Sequence, residues 1–162
     1  MFKTKLLILL LISFSFFSCT KDSHNENKFK YSVEYIGGEY DGLFLKNLLT
    51  NKLSNFGLYD EDSIFNIVAG ISHSPTLFIT NIDNTSDRMR LDSVLTVEVV
   101  DKRFKCITYK YQKKLSQFYI FAGSDRYISN NSAEKKIKEE NSEALVKNFI
   151  NKLEKPNAIC KN

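Results

Sequence analysis

Few side chains in this sequence stand at spacings that support chemistry. His24 lies in the polar tether and His73 in an expected loop before Pro75, and neither has a Cys or second His at ligand spacing, so no metal site is expected. Asp60, Glu61 and Asp62 supply adjacent carboxylates, yet they fall in a polar connection where water keeps each acid ordinary. Gly37-Gly38 lacks both the third glycine of a dinucleotide loop and the Gly-Lys-Ser/Thr of a phosphate loop, and so reads as a turn. There is no Gly-x-Ser-x-Gly, and Cys106 falls on an expected strand with no histidine near it in sequence. The expectation is a protein that is not an enzyme and carries no cofactor. A hydrolase whose residues meet only in the fold stays open, and a buried acid beside a histidine or Cys106 would signal it.

The cysteine with the clearest context is Cys19. Lys3 and Lys5 precede a 12-residue apolar block, Leu6 to Phe17, which ends in Ser18-Cys19 and the polar TKDSHNENK. A helix needs roughly 20 apolar residues to cross a ~30 Å hydrocarbon core, so the block is too short for a span and matches a secretory signal. A small residue followed by cysteine is the bacterial lipobox pattern, in which the cysteine becomes the acylated first residue after cleavage. Phe16 and Phe17 fit that pattern poorly, which leaves an ordinary cleaved signal and an uncleaved anchor as alternatives. With Thr20 rather than Asp in second place, an acylated Cys19 points to the outer membrane.

Residues 1–18 therefore read as signal and 19–28 as lipidated cysteine and tether. They are followed by one domain over 29–155 and a tail over 156–162. The formal charge is +4, of which Lys3 and Lys5 supply two, and acids and bases are interspersed along the chain. A dedicated nucleic-acid binder is not expected. Cys106 and Cys160 remain for a disulfide in an oxidising compartment, or for two separate thiols.

The elements that must position these residues follow from periodicity. Phe29, Tyr31, Val33 and Tyr35 alternate with polar residues as a first strand. Phe44, Leu45, Leu48, Leu49 and Leu53 fall at helical spacing, with Asp41 to cap the start and Gly57 to close the end. Residues Ser63 to Ser72 fit strand or helix, while Thr76 to Ile82 reads as strand. Met89, Leu91, Ser93, Leu95, Val97 and Val99 line one face of a long strand. Lys102-Arg103 makes a turn, and Ile107, Tyr109 and Tyr111 line the returning strand. Ser132, with Glu134 in the first turn, begins a last helix carrying Ile137, Leu145, Val146, Phe149, Ile150 and Leu153. The expected fold is a two-layer α+β sandwich, with two helices on one face of a roughly four-stranded mixed sheet in the order β-α-β-β-β-α.

What remains for function is surface character. Arg88, Arg90, Lys102, Arg103, Lys105, Lys110, Lys113, Lys114 and Arg126 interleave with Tyr109, Tyr111, Phe118 and Tyr119. Such a mix suits an anionic amphiphile, since the cations engage phosphates while rings cover acyl or sugar surface. It equally suits the solvated faces of strands.

Four features together resemble the LPS-assembly lipoprotein family, LptE. They are the lipobox-type cysteine with its tether and opening strand FKYSVEYI, the helix LFLKNLLTNKL, the central SDRMRLDSVLTVEVVDKRFKCITYKY, and SQFYIFAGSDRYISNNSAEKK leading into the terminal helix. The resemblance runs from Cys19 to Leu153. It implies two helices on a four-stranded sheet, a membrane anchor at acylated Cys19, a seat inside the outer-membrane β-barrel LptD as a plug that helps it assemble, and lipopolysaccharide as ligand. Positions where members carry ligand-contacting bases fall near Asn84 and Asn130, both neutral here, so Arg88, Arg90 and Arg126 are the candidate lipopolysaccharide contacts. The rival reading is another outer-membrane lipoprotein acting as a periplasmic binding or inhibitor module.

Overall fold

A computed structural model describes residues 29–34, 36–37, 40–79, 87–120 and 127–153. The element order is β1 (Tyr31–Val33), α1 (Tyr40–Asn55), β2 (Phe65–Ile79), β3 (Asp87–Asp101), β4 (Cys106–Ile120) and α2 (Tyr127–Lys152). The strands form one sheet in the order β1-β2-β3-β4, parallel between β1 and β2 and antiparallel elsewhere. This is the expected α+β sandwich.

The segment left open by its sequence is strand: β2 begins at Phe65 and runs unbroken through Pro75. Proline is tolerated there because of parity. Ile67 turns its carbonyl toward β1, accepting from the Glu34 N–H at 3.1 Å, so two-residue alternation aims the backbone of Pro75 at the same edge. β1 pairs only Phe65 to Ile67, so at Pro75 that edge has no ladder to lose.

Alternation in β3 places Leu91, Ser93, Leu95, Val97, Val99 and Asp101 inward, all buried, and Arg90, Asp92, Thr96 and Glu98 outward. A bulge opposite Val99/Val100 inserts one residue into β4: Ile107 pairs with Val100, and Tyr109 already with Val99. Tyr109 and Tyr111 then join the inward row, whereas Ile107 stands 40% exposed, outside the row its sequence spacing suggests.

Both helices cover the inward face. α1 contributes Leu45, Leu49 and Leu53 and α2 contributes Leu145, Val146, Phe149 and Ile150 to a core with Ile67, Leu95, Val97 and Val99. Each such side chain, fully buried, stabilises by about 1.5–3 kcal/mol. Gly57, at φ +66°, closes α1: the Leu58 N–H donates to Leu53 O at 2.8 Å and the Gly57 N–H to Ser54 O at 2.9 Å. That pair of bonds is a Schellman cap, which glycine enters without the Cβ penalty. At the other end of α1, buried Gly42 lies against the backbone of Ile36 and Gly37, where a Cβ would stand 2.5 Å from Gly37 O.

Two boundaries differ from expectation. β1 is three residues, with Phe29 and Lys30 preceding it, because only those three find β2 as a partner. α2 starts at Tyr127, five residues before Ser132. Its opening Ser-Asn-Asn is poor helix sequence, but Asn130 is only 6% exposed, so packing outweighs propensity there.

Candidate functional site

Residues of β2, β3 and β4 farthest from the β3–β4 turn assemble the surface that carries the two described candidate contacts. Thr76, Arg90 and Phe118 are cross-strand partners, and Arg88 is paired with Ile120. All five point away from the helices, since they share the outward parity of Asp92 and Thr96. Phe118 is 53% and Ile120 74% exposed. Leu77, on the inward row, is also 51% exposed.

Charges on this surface are partly committed. Asp92 Oδ2 accepts from Lys114 Nζ at 2.8 Å and lies 3.4 Å from Arg90 Nη2, while Asp92 Oδ1 accepts from the Ser116 hydroxyl at 2.6 Å. The Lys114 and Ser116 bonds hold the Asp92 carboxyl below the usual carboxylate range. Arg90 Nε is buried and finds no acceptor among the described residues. Arg88 is exposed and makes no ion pair among the described residues. Arg126 and position 84 lie outside the described residues, as do Cys19 and Cys160. Asn130 is buried on α2, which removes that position from the surface.

The wider set of bases and aromatics does not form one patch. Tyr111 and Tyr119 are each 9% exposed on the inward face, and the Tyr109 hydroxyl donates to Lys152 O at 3.2 Å. Lys110 pairs with Glu98 at 2.9 Å and Arg103 with Asp101 at 2.8 Å.

A second polar cluster went unread in the sequence. His73 is in β2 rather than in a loop, directly opposite Ser93. Its Nδ1 lies 2.8 Å from Ser93 Oγ, and the Asn141 Nδ2–H of α2 donates to the same oxygen at 2.9 Å. Desolvation lowers the His73 pKa, with Asp41 opposing and Lys138 adding to the shift. Ser93 and Asn141 are fully buried, so a substrate carbonyl would reach the Ser–His pair only if α2 lifted from the sheet. The trio fixes the helix against the strands. The signal for it was Ser93, the one polar residue between Met89 and Val99 in the inward row.

Beside this trio, a groove of about 220 Å³ separates the start of α1 from α2, with Tyr40, Phe44 and Lys138 in its walls. The Tyr40 hydroxyl donates to Glu139 Oε1 across it at 2.8 Å. No group of three metal-ligating side chains gathers among the described residues.

No family model and no curated protein matches the sequence. Solved structures do match. The rare lipoprotein B from Shewanella oneidensis is similar with a TM-score of 0.59 at 9% identity, over 77% of this chain and 92% of that one. The minor lipoprotein from Acinetobacter baumannii is similar with a TM-score of 0.57 at 16% identity, over 77% and 90%. The two helices and mixed sheet are thus a fold that this chain shares with bacterial lipoproteins.

Proposed function

We propose that the chain is an outer-membrane lipoprotein of the LptE type. Acylated at Cys19, it plugs and helps assemble the translocon barrel LptD and assists lipopolysaccharide insertion into the outer leaflet. The observation that carries this reading is the fold shared with the rare lipoprotein B over 92% of that chain. The lipobox-type Cys19 and the family-like order of motifs support it independently.

The mechanism is occupancy. A rigid sandwich with a filled core enters the lumen as a body, and its outward sheet face, rich in paired charges, meets a polar wall. Arg88, Arg90 and Phe118 then offer two guanidinium groups and a ring to an amphiphile bearing phosphates and acyl chains. Purification of the tagged full-length chain from detergent extracts tests the reading: a large β-barrel protein should accompany it, and its absence overturns the proposal.

Arg88 is the contact to test first, because it is exposed and makes no ion pair among the described residues. Arg88→Glu should weaken lipopolysaccharide binding by roughly tenfold at low salt, with the difference shrinking as salt rises, in line with a ~1–2 kcal/mol charge-assisted contact. Unchanged binding by the folded variant removes Arg88 from the site.

A further inference from the structure

The opposite end of the sheet carries a second exposed apolar surface. Here β1 and β2 begin and the β3–β4 turn, residues 102–105, closes the hairpin. Phe104 at its tip is 65% exposed, and around it Phe29, Ile64 and Ile107 are 39%, 39% and 40% exposed. The Phe29 ring meets Phe65 edge-on at 5.6 Å, and a cavity of about 520 Å³ opens beside them, bounded by Ile64 and Arg103.

The turn is built to present Phe104. Asp101 is 4% exposed and accepts from Arg103 through the backbone N–H, Nε and Nη2, while the Arg103 guanidinium lies 5.2 Å from the Phe104 ring centre. The Lys102 N–H donates to Ile64 O at 2.9 Å, tying the turn to the start of β2. Lys105 holds φ at +52°, a left-handed conformation that glycine or asparagine adopts more readily. A long basic side chain thus stands where the backbone alone would favour a small residue.

The chain's own layout says what covers this surface. Phe29 is the first described residue and one of the exposed rings, and only nine residues, Thr20 to Lys28, separate it from Cys19. Even fully extended they reach roughly 30 Å.

We propose that this end is a membrane-contact surface, with Phe104 inserted among lipid headgroups as a second attachment beside the acyl anchor. The inference rests on the anchoring of Cys19 put forward above. Apolar contact drives it. Lys30 lies 3.5 Å from Asp60 and Arg103 2.8 Å from Asp101, and the turn and the 60–62 connection add Lys102 and Lys105 against Glu61 and Asp62, so formal charges at this end balance. Binding is therefore salt-insensitive, and Lys102 and Lys105 bury their methylene stems while their ammonium groups stay in water.

The chain contains no tryptophan, so Phe104→Trp gives a single tryptophan, excited selectively above the tyrosine band, at the tip and Phe118→Trp one at the far end. Each full-length lipidated variant is reconstituted into phosphatidylethanolamine–phosphatidylglycerol vesicles, with flotation reporting the anchor and quenching by brominated lipid reporting the contact. The Phe104→Trp protein should float, shift its emission to the blue and lose about half of its intensity or more to the quencher, equally at low and high salt, as expected of an indole in the interface. Phe118→Trp should show little quenching. A protein that floats while its tip stays unquenched overturns the contact and leaves the anchor standing. One that does not float overturns the anchor and this proposal with it. A blue shift seen only in complex with a barrel protein, without lipid quenching, assigns the surface to the barrel and overturns it equally.

Discussion

His73 shows how a single position can acquire a property its sequence neighbours do not suggest. Its pKa is lowered in the folded state, so below about pH 6.5 the unfolded chain binds a proton that the native chain does not. Stability is then fully present above that pH and falls as the solution is acidified. The slope is at most about 1.4 kcal/mol per pH unit, and less because the ring is only half-buried. Thermal melts between pH 7.5 and pH 5 should show the decline, and His73→Gln, which keeps a hydrogen-bonding side chain opposite Ser93, should flatten it. An equal slope in that variant would assign the pH dependence to other groups. The pairing was not legible beforehand, because it depends on the β2–β3 register, and the register depends on a turn that the sequence does not specify. Ser93 as an inward residue was legible, because strict alternation from Met89 to Val99 allows no other face.

Among elements, α1 was the most readable: its Leu spacing and Gly57 give the helix and its end, and the Schellman bonds follow. Gly42 carried no sequence signal, since a glycine in a first helical turn looks merely tolerated. Only the approach of the segment after β1 explains it. Gly42→Ala places a methyl group against immovable backbone and should destabilise by about 1–3 kcal/mol despite alanine's better helix propensity. Chemical denaturation checks this, and a stabilised variant would show that the 36–37 segment can yield. The β4 bulge was equally invisible, because alternation was counted from Ile107 as though no residue were extra. β2 was legible only beyond Pro75. Its first half, Phe65 to Ser74, mixes apolar and small residues without a clean period, and the ladder with β3 alone decides it.

At the scale of the whole molecule, the sandwich was legible from the order of its elements, whereas the separation of basic residues between two ends was not, since sequence proximity put Arg103 and Lys110 into one imagined patch. Covalent closure belongs to this scale too. Cys106 is disulfide-bonded, and its partner lies outside the described residues. Pairing with Cys160 is our expectation, because it leaves Cys19 free for lipid. Non-reducing proteolysis and mass spectrometry should yield one peptide joining Cys106 to Cys160 and an acylated peptide beginning at Cys19. A Cys106–Cys19 crosslink would refute the lipid anchor directly. Closing a loop of this size is worth roughly 4 kcal/mol, so reduction should lower the melting temperature appreciably.

The 15-residue strands have a consequence in dimension. At about 3.3 Å per residue each spans roughly 46 Å end to end, close to the ~40–45 Å of a bilayer with its headgroups. In the seat proposed above, a domain whose turn end rests at one leaflet with its strands upright places Arg88 and Phe118, roughly 40 Å from the turn, level with the headgroups of the other. Under the proposed function the sheet is a ruler as well as a plug. Shortening β3 and β4 together by two residues would preserve every side chain's facing while lowering the far end by roughly 7 Å.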